Sequence, residues 1–367
     1  MKYPYALERI LDHFPDLNPS NVLRQLRRTT FVSTEKRYFY FAVPKAACTQ
    51  MKELLRTVLN APPIKVFADR SPQTRRDMFI HARPNVPLPS LLDLNNRTQK
   101  DVLESPDFLR MTVVRNPYTR LISAWTNKIL LCEPGVKEEY LEIKGQLPAL
   151  HKKSLISFPE FVEYVENKCD LRSCNNHWRR QVDHTFYPAM NFSLVLKVEQ
   201  LAEGLRQFER HIGAEKPLIA AGKNTSIASG RGLYTSELAD RVYSAYRADF
   251  EVFGYDRHSW PQEDDKKGSE PRKAYVSEER FRDEVIERNL IIASLYDERD
   301  RLQNQLRWVS RLRLLPLLNT LASLDSTSRR RASQLKMWAN RLLSSTRRWR
   351  EHYPAEARAH LAKIKQR

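Results

Sequence analysis

A lysine followed by four small residues separates an apolar run from a helical pattern near the start of the chain. The residues are Lys45 and then Ala46, Ala47, Cys48 and Thr49. A tight turn that opens a helix attracts anions, because the first helical turn leaves its N–H groups without partners and the helix dipole is positive there. The lysine would add a full positive charge, and the threonine a hydroxyl donor. This combination predicts a site for a phosphate or a sulfuryl group.

The elements on either side of the turn are those that such a site needs. Residues 38–43 are aromatic and β-branched, which predicts a buried strand, and Pro44 ends its ladder because proline has no N–H to donate. Beyond the turn, apolar residues recur at helical spacing up to Leu59. The turn has no glycine and its lysine comes first, whereas the nucleotide-binding motif GxxxxGK[ST] has its lysine after the glycines. An ordinary nucleotide-binding loop is therefore a poor match.

A second strand–turn–helix pattern covers residues 108–129. A short apolar strand over residues 111–114 is followed by Arg115 and by Pro117, which suits the first turn of a helix. Ser123 lies about two turns into that helix. A guanidinium group can bind a phosphate through two parallel hydrogen bonds, and a hydroxyl supplies a further donor. These residue types suit a second phosphate.

Both stretches resemble signatures of sulfotransferases that use 3′-phosphoadenosine-5′-phosphosulfate (PAPS). VPKAACTQMK is similar to the 5′-phosphosulfate loop of carbohydrate sulfotransferases, and VVRNPYTRLISAW to the segment that contacts the 3′-phosphate. With the segment NHWRRQ and the ending FGY, the resemblance covers roughly residues 36–257. It implies an α/β, P-loop-like sulfotransferase fold with a central, mainly parallel sheet flanked by helices. The apolar spacing beyond the resemblance adds the prediction of a C-terminal helical or coiled-coil extension.

The resemblance also implies roles for individual residues. Lys45 would stabilise the bridging oxygen and the leaving phosphate, and residues 46–49 would bind the 5′-phosphate. Arg115 and Ser123 would hold the 3′-phosphate. His81 lies between the two motifs, as the catalytic histidine does in related enzymes, and an imidazole can accept a proton near neutral pH. We therefore predict His81 as the general base.

Further residues have open alternatives. His177 is the rival general base, although it stands beside a tryptophan and could instead shape a pocket. Lys52 is either a phosphate contact or a lysine on the helix surface. The Arg-Lys-Gly motif of aryl sulfotransferases is not found, and Arg231, within SGRG, is assigned to the cofactor in its place.

The predicted function is transfer of a sulfuryl group from PAPS to a hydroxyl of a carbohydrate, such as a polysaccharide or glycolipid, by in-line displacement and without a metal. Two alternatives come from other classes of protein. One is a P-loop-type kinase of a small molecule, and the other is a non-enzymatic, basic coiled-coil adaptor.

Charge and periodicity divide the chain. We expect an N-terminal lead-in over residues 1–35, a catalytic domain over 36–260, a linker over 261–275 and a basic helical tail over 276–367. Apolar residues at alternating steps of three and four in the tail predict a coiled coil and a homo-oligomer through residues 276–310. The net charge is +18, and the last 67 residues, with 16 Lys and Arg against three Asp and Glu, contribute most of it.

The basic tail has alternative partners. An anionic membrane surface or a polyanionic glycan would attract it, whereas no recognition motif for nucleic acid accompanies the charge. The N-terminal residues lack the apolar region of a signal peptide, and no transmembrane run is found, although animal Golgi relatives carry such an anchor. We expect a cytoplasmic, bacterial protein, at most peripheral at the inner membrane face. Four cysteines do not make a disulfide framework, and Cys169 and Cys174 could bridge or stay reduced.

Overall fold

A computed structural model describes most of the first 262 residues and three residues beyond them. The described residues are 3–62, 80, 85–130, 132, 135–146, 155–218, 232–262, 289, 292 and 301. The chain divides into two units, Met1–Ile286 and Glu287–Arg367. In the second unit the three described residues are helical, and the rest of the predicted coiled coil and basic tail lies outside the described residues.

A four-stranded sheet lies at the centre of the first unit, with strands in the order β1-β2-β3-β4. The strands are β1 Thr30–Ser33, β2 Tyr38–Phe41, β3 Leu109–Val114 and β4 Leu194–Lys197. Strand β1 is antiparallel to β2, whereas β2, β3 and β4 are parallel to one another. The mixed α/β architecture with a mainly parallel sheet is as predicted. The carboxyl ends of three strands consequently meet at one edge of the sheet.

Helices precede, follow and connect these strands. The α-helices are α1 Tyr5–His13, α2 Pro19–Thr29, α3 Cys48–Val58, α4 Asn96–Glu104, α5 Pro117–Ala124, α6 Lys137–Gln146, α7 Phe158–Lys168, α8 Gln181–His184, α9 Leu201–Ile212 and α10 Ser236–Phe253. Single 3-10 turns cover Leu91–Asp93 and Val198–Gln200, and a π-helical turn over Trp125–Leu130 continues α5. None of the described helices is both long enough and apolar enough to cross a bilayer.

Strand β2 is buried on both faces. Tyr38 and Tyr40 belong to an apolar cluster that includes residues of α3 and α9. Phe39 and Phe41 belong to a second cluster, which includes residues of α1 and α2. Because successive side chains of a strand point to opposite faces, a strand covered by helices on both sides has a continuous apolar sequence. This explains why residues 38–43 show no polar alternation.

The N-terminal residues are part of this packing. Ala6, Leu7 and Ile10 of α1 are buried in the second cluster together with Val22 and Leu26 of α2. Strand β1, which follows α2 directly, was not predicted. The segment assigned to a lead-in therefore contributes two helices and an edge strand of the described sheet.

Candidate active site

The turn between β2 and α3 has an unusual backbone. Two of its non-glycine residues lie in the left-handed region, Lys45 with φ 66° and Ala47 with φ 53°. Such conformations cost on the order of 1–3 kcal/mol each and cluster at ligand-binding sites. Ala47 is the N-cap of α3 and has no polar side chain to cap the helix. The first N–H groups of α3 therefore lack the acceptor that Ser, Thr, Asp or Asn would supply at this position.

Arg115 brings the second motif to this turn. Its Nη1 donates to the carbonyl oxygen of Lys45 at 3.4 Å, and its Nε donates to Thr119 Oγ1 at 3.0 Å. Nη2 has no hydrogen-bond partner among the residues that the structure describes. The two motifs predicted to bind phosphates thus meet at the carboxyl edge of β2 and β3, with part of the guanidinium group available to a ligand.

The backbone of Arg115 is held by a side-chain amide. Gln181 Oε1 accepts from Arg115 N at 2.9 Å, and Gln181 Nε2 donates to Arg115 O at 2.9 Å. This pair of bonds continues the strand ladder by one residue, with an amide side chain in place of a neighbouring strand. Gln181 is the last residue of the NHWRRQ segment, so this segment positions the arginine.

Asp249 of α10 fixes Gln181 in turn. It is fully buried, and its carboxylate accepts from Gln181 N at 2.8 Å and from Val182 N at 2.9 Å, the first two residues of α8. Burial raises the pKa of Asp249, while the charge of Arg120 and the bonds from these amides act in the opposite direction. A carboxylate at a helix N-terminus is favoured by the helix dipole.

The next backbone amide is also held from another element. Asn116 N donates to Glu199 Oε1 at 2.9 Å, and Tyr255 Oη donates to Glu199 Oε2 at 3.2 Å. Burial lowers the pKa of Arg115, and Glu199 opposes that shift. Since an arginine keeps its proton in proteins, Arg115 is a partly buried cation at the edge of the sheet.

A second arginine, Arg120 of α5, lies behind the turn. It is 2% exposed, and its Nε donates to the carbonyl of Pro44 at 3.1 Å. Its Nη1 and Nη2 donate to the carbonyls of Arg179 and Asn176 at 2.8 and 3.1 Å. Arg120 therefore joins the turn to the segment that leads into α8.

The structure places the other candidates as follows. Ser123 is buried in α5, and no hydrogen bond joins it to Arg115 or to the turn within the described residues. Lys52 is 6% exposed and its Nζ lies 5.4 Å from the centroid of the Phe31 ring. The interpretation of Lys52 as a lysine on the helix surface is therefore wrong, because α3 packs that face against β1. His81 and Arg231 lie outside the described residues.

The segment before α8 holds the remaining candidates. His177 Nδ1 lies 2.7 Å from Asn175 Oδ1, so one ring nitrogen is engaged within the segment. Cys169 and Cys174 are free thiols; Cys174 Sγ donates to Asn175 O at 3.9 Å, and the neighbouring Cys174 thiol lowers the pKa of Cys169. The reduced pair is thus the one that the structure contains.

Sequence reasoning missed three buried titratable or charged groups, Arg120, His184 and Asp249. The available signal was a charged residue on an apolar helix face. Asp249 lies three residues after Tyr246 and four before Phe253, and all three are buried. Such a residue needs internal partners, because a charge is costly to bury alone. The partners themselves are backbone groups from distant segments, which the pattern does not identify.

Comparison with known proteins agrees with this geometry. The profile of the Sulfotransferase family matches residues 28–256. Carbohydrate sulfotransferase 11 of Danio rerio is 22% identical over 247 residues, 61% of this chain and 66% of that protein. Carbohydrate sulfotransferase 14 of Mus musculus is 27% identical over 202 residues, 52% of this chain and 48% of the relative. Carbohydrate sulfotransferase 10 of Xenopus laevis is 25% identical over 245 residues, 61% of this chain and 66% of the relative.

The chain spans between about half and two thirds of the length of these curated relatives. No solved structure gives a significant match. The profile match nevertheless covers more than half of the 367 residues, and it contains both candidate phosphate-binding motifs and the strands that bring them together. This chain therefore belongs to the sulfotransferase family.

Proposed function

We propose that the protein is a PAPS-dependent sulfotransferase that acts on a hydroxyl of a carbohydrate. The observation that carries the proposal is the hydrogen bond from Arg115 Nη1 to the carbonyl of Lys45. It brings the two motifs into one site at the carboxyl edge of parallel strands, which is where open α/β sheets bind their ligands. A donor with two separate phosphate-bearing ends suits a site with two anion-binding parts.

Each end of the donor has its own contacts in this proposal. Of residues 46–49, which were predicted to bind the 5′-phosphosulfate, Ala46 donates its N–H to Val43 O at 3.3 Å, so the P-loop-like turn binds this group through the N–H groups of residues 47–49 and the hydroxyl of Thr49. Arg115 binds the 3′-phosphate through Nη2, and Ser123 adds a hydroxyl. The 3′-phosphate contact is what would distinguish PAPS from ADP or ATP.

The residues of the site must stabilise the negative charge that develops on the leaving group and take one proton from the acceptor. The acceptor oxygen attacks the sulfur in line, the bond from sulfur to the bridging oxygen breaks, and 3′-phosphoadenosine 5′-phosphate (PAP) leaves. Lys45 stabilises the negative charge that develops on the bridging oxygen. His81 takes the proton of the acceptor hydroxyl as general base. No step of this displacement calls for a metal ion.

The acceptor class rests on the relatives, all three of which are named carbohydrate sulfotransferases. A glycan hydroxyl is therefore the proposed acceptor. The basic tail, with 16 Lys and Arg over residues 301–367, would attract an anionic membrane surface or a polyanionic glycan. Residues 276–310 are proposed to form a homo-oligomer.

Transfer of labelled sulfate tests the proposal. The full chain is incubated with [35S]PAPS and either a mixture of polysaccharides and glycolipids or a set of phenols. We expect label on carbohydrate, and a loss of about 10²–10³-fold in rate for Lys45→Ala, the usual effect of removing one stabilising donor. Lys100→Ala, an exposed lysine of α4, serves as the control and should match the wild type. Label on phenols alone, or on neither class, would contradict the proposed activity.

A further inference from the structure

Packing alone does not explain why an arginine, rather than an apolar residue, is buried behind the turn. Arg120 lies in α5 among apolar residues, with Leu121 and Ile122 next to it, and all three are buried. Burying a guanidinium group is costly unless it is hydrogen-bonded, and an apolar side chain could fill such a position without that cost. The arginine therefore does something there that an apolar residue could not.

Its partners show what that is. All three acceptors of Arg120 are backbone carbonyls, one in the turn and two in the segment before α8. Carbonyl groups fix the peptide planes to which they belong. In a trans peptide the C=O and the following N–H point in opposite directions. By holding the carbonyl of Pro44, Arg120 sets the direction of the Lys45 N–H, which points away from the arginine.

The neighbouring peptides are held in a similar way. The ring of His184 bonds to the carbonyl of Ala42 with an Nε2–O distance of 3.1 Å, and Arg115 donates to the carbonyl of Lys45. Carbonyls on both sides of the Pro44 peptide thus have donors from other elements. The bond from Arg120 is the one that also reaches the segment before α8.

The positive charge of Arg120 contributes to anion binding in addition to its hydrogen bonds. Burial lowers the pKa of Arg120 and the charge of Asp249 opposes that shift, but an arginine stays protonated in proteins. A fixed positive charge within hydrogen-bond distance of the turn attracts an anion bound on it. The attraction is stronger in the protein interior than in water, since the effective dielectric constant is lower there.

We infer that Arg120 is a positioning residue for the donor: it holds the turn in its anion-binding conformation and thereby sets the affinity for the 5′-phosphate end of the nucleotide. The inference rests on the proposed function. It assigns Arg120 no contact with the donor, in contrast to Lys45 and Arg115.

The chain offers a matched control at the opposite end of the sheet. Arg110, near the start of β3, is 8% exposed and also donates to backbone carbonyls. Its Nε binds Asn191 O at 2.7 Å, and its Nη1 binds Ser105 O and Phe108 O at 2.6 and 3.2 Å. Arg110 is the second residue of β3, whereas the turn lies at the carboxyl end of the parallel strands. A substitution of Arg110 therefore removes the same kind of interaction at the end of the sheet away from the turn.

Titration with three nucleotides that differ in their phosphates measures the contribution of each end of the donor site to affinity. Calorimetric titration of the full chain with PAP, adenosine 3′-monophosphate and adenosine 5′-monophosphate gives the affinity that each phosphate adds. For Arg120→Met we expect the gain from the 5′-phosphate to fall about tenfold and the gain from the 3′-phosphate to change little. Arg120→Lys keeps the positive charge but cannot donate to all three carbonyls in the same geometry. Its gain in affinity from the 5′-phosphate should lie between those of Arg120→Met and the wild type. Arg110→Met should lose thermal stability while keeping both gains.

The outcomes separate the two claims. If the wild type binds none of the three nucleotides, the proposed function fails and the inference fails with it. If the wild type binds PAP and Arg120→Met keeps the full gain from the 5′-phosphate, or loses both gains equally, Arg120 is merely structural and only the inference is overturned.

A measurement on the wild type covers the case in which the variants do not fold. Hydrogen exchange is followed with and without PAP. Through Arg120, PAP binding should slow exchange in residues 176–180 as well as in residues 45–51, because Arg179 N donates to Asn175 O and Arg180 N to Leu171 O, bonds that a better fixed segment would open less often. Protection confined to residues 45–51 would overturn the inference.

Discussion

A single buried residue, His184, makes the free energy of unfolding depend on pH. Its Nε2 lies 3.1 Å from the carbonyl of Ala42 and its Nδ1 lies 3.4 Å from Gln25 Nε2, which suits a neutral ring that donates through Nε2 and accepts through Nδ1. Burial, with the charge of Arg179 added, lowers the pKa of His184 to about 3. The folded protein therefore keeps this imidazole neutral at pH values at which the unfolded chain would protonate it.

The sign of the effect follows from linkage. Between pH 6.5 and about 3 the unfolded state binds a proton at His184 that the folded state does not, so stability falls as pH falls, by about 1.4 kcal/mol per pH unit. From pH 7.5 to pH 5.0 we expect the free energy of unfolding to drop by about 2 kcal/mol through this residue alone. Urea unfolding of the wild type and of His184→Gln at both values measures the difference. An equal drop in both proteins would contradict the assignment.

At the residue scale, the sequence indicates candidate ligand-binding groups more readily than the residues that support them. Lys45 and Arg115 could be found because they stand at the ends of recognisable strands, where polar residues are expected to face a ligand. Arg120 and His184 could not be assigned in the same way, because their partners are carbonyls of Pro44, Arg179 and Ala42 rather than side chains. Every residue type carries the same backbone carbonyl, so the sequence does not show which carbonyls accept these bonds.

At the scale of elements, the contact between α10 and α8 supports the site. The carboxylate of Asp249 accepts from the first two amides of α8, and α8 begins with the glutamine that holds Arg115. Asp249→Asn keeps the shape but supplies one carbonyl oxygen for two N–H groups. We expect a loss of about 1–3 kcal/mol in the free energy of unfolding, the usual cost of an unsatisfied buried group, measured by urea unfolding. Affinity for PAP should fall as well, since Gln181 and Arg115 lose their support.

The same helix supplies the control. Asp240 forms an exposed ion pair with Arg257, with an N–O distance of 2.7 Å. Exposed pairs contribute between 0 and about 1 kcal/mol, so Asp240→Asn should change stability by no more than that and leave PAP affinity unchanged. If Asp249→Asn were as mild as Asp240→Asn, α8 would not depend on its buried carboxylate.

Most of the elements that build the site were predictable, and their pairing was not. Strands β2 and β3 stand out as apolar runs, and the Asn116–Pro117 pair marks the start of α5, where Asn116 Oδ1 accepts from Tyr118 N at 3.0 Å. Strand β1 was missed because four residues directly after a helix give no period of their own. The π-helical turn after Ala124 was missed too, since the apolar spacing through Ile129 fits a plain α-helix.

At the scale of the whole molecule, we propose that the predicted coiled coil sets the oligomeric state. The stripe at Leu295, Leu302 and Leu306 belongs to the second unit of the chain. We expect the full chain to sediment as a dimer or larger oligomer and a chain of residues 1–286 to sediment as a monomer with the same affinity for PAP. Analytical ultracentrifugation and titration measure both. Equal association states for the two chains would contradict a coiled coil in this region.

The central claim concerns the donor, because every assigned role depends on a nucleotide with a 3′-phosphate. The measurement that tests it most directly is calorimetric titration of the wild type and of Arg115→Ala with PAP, ADP and ATP. We predict that the wild type prefers PAP and that the variant loses most of that preference, since a charge-assisted bond to the 3′-phosphate is removed. If the wild type binds ADP or ATP as tightly as PAP, and Arg115→Ala makes no difference, the site is not one for PAPS.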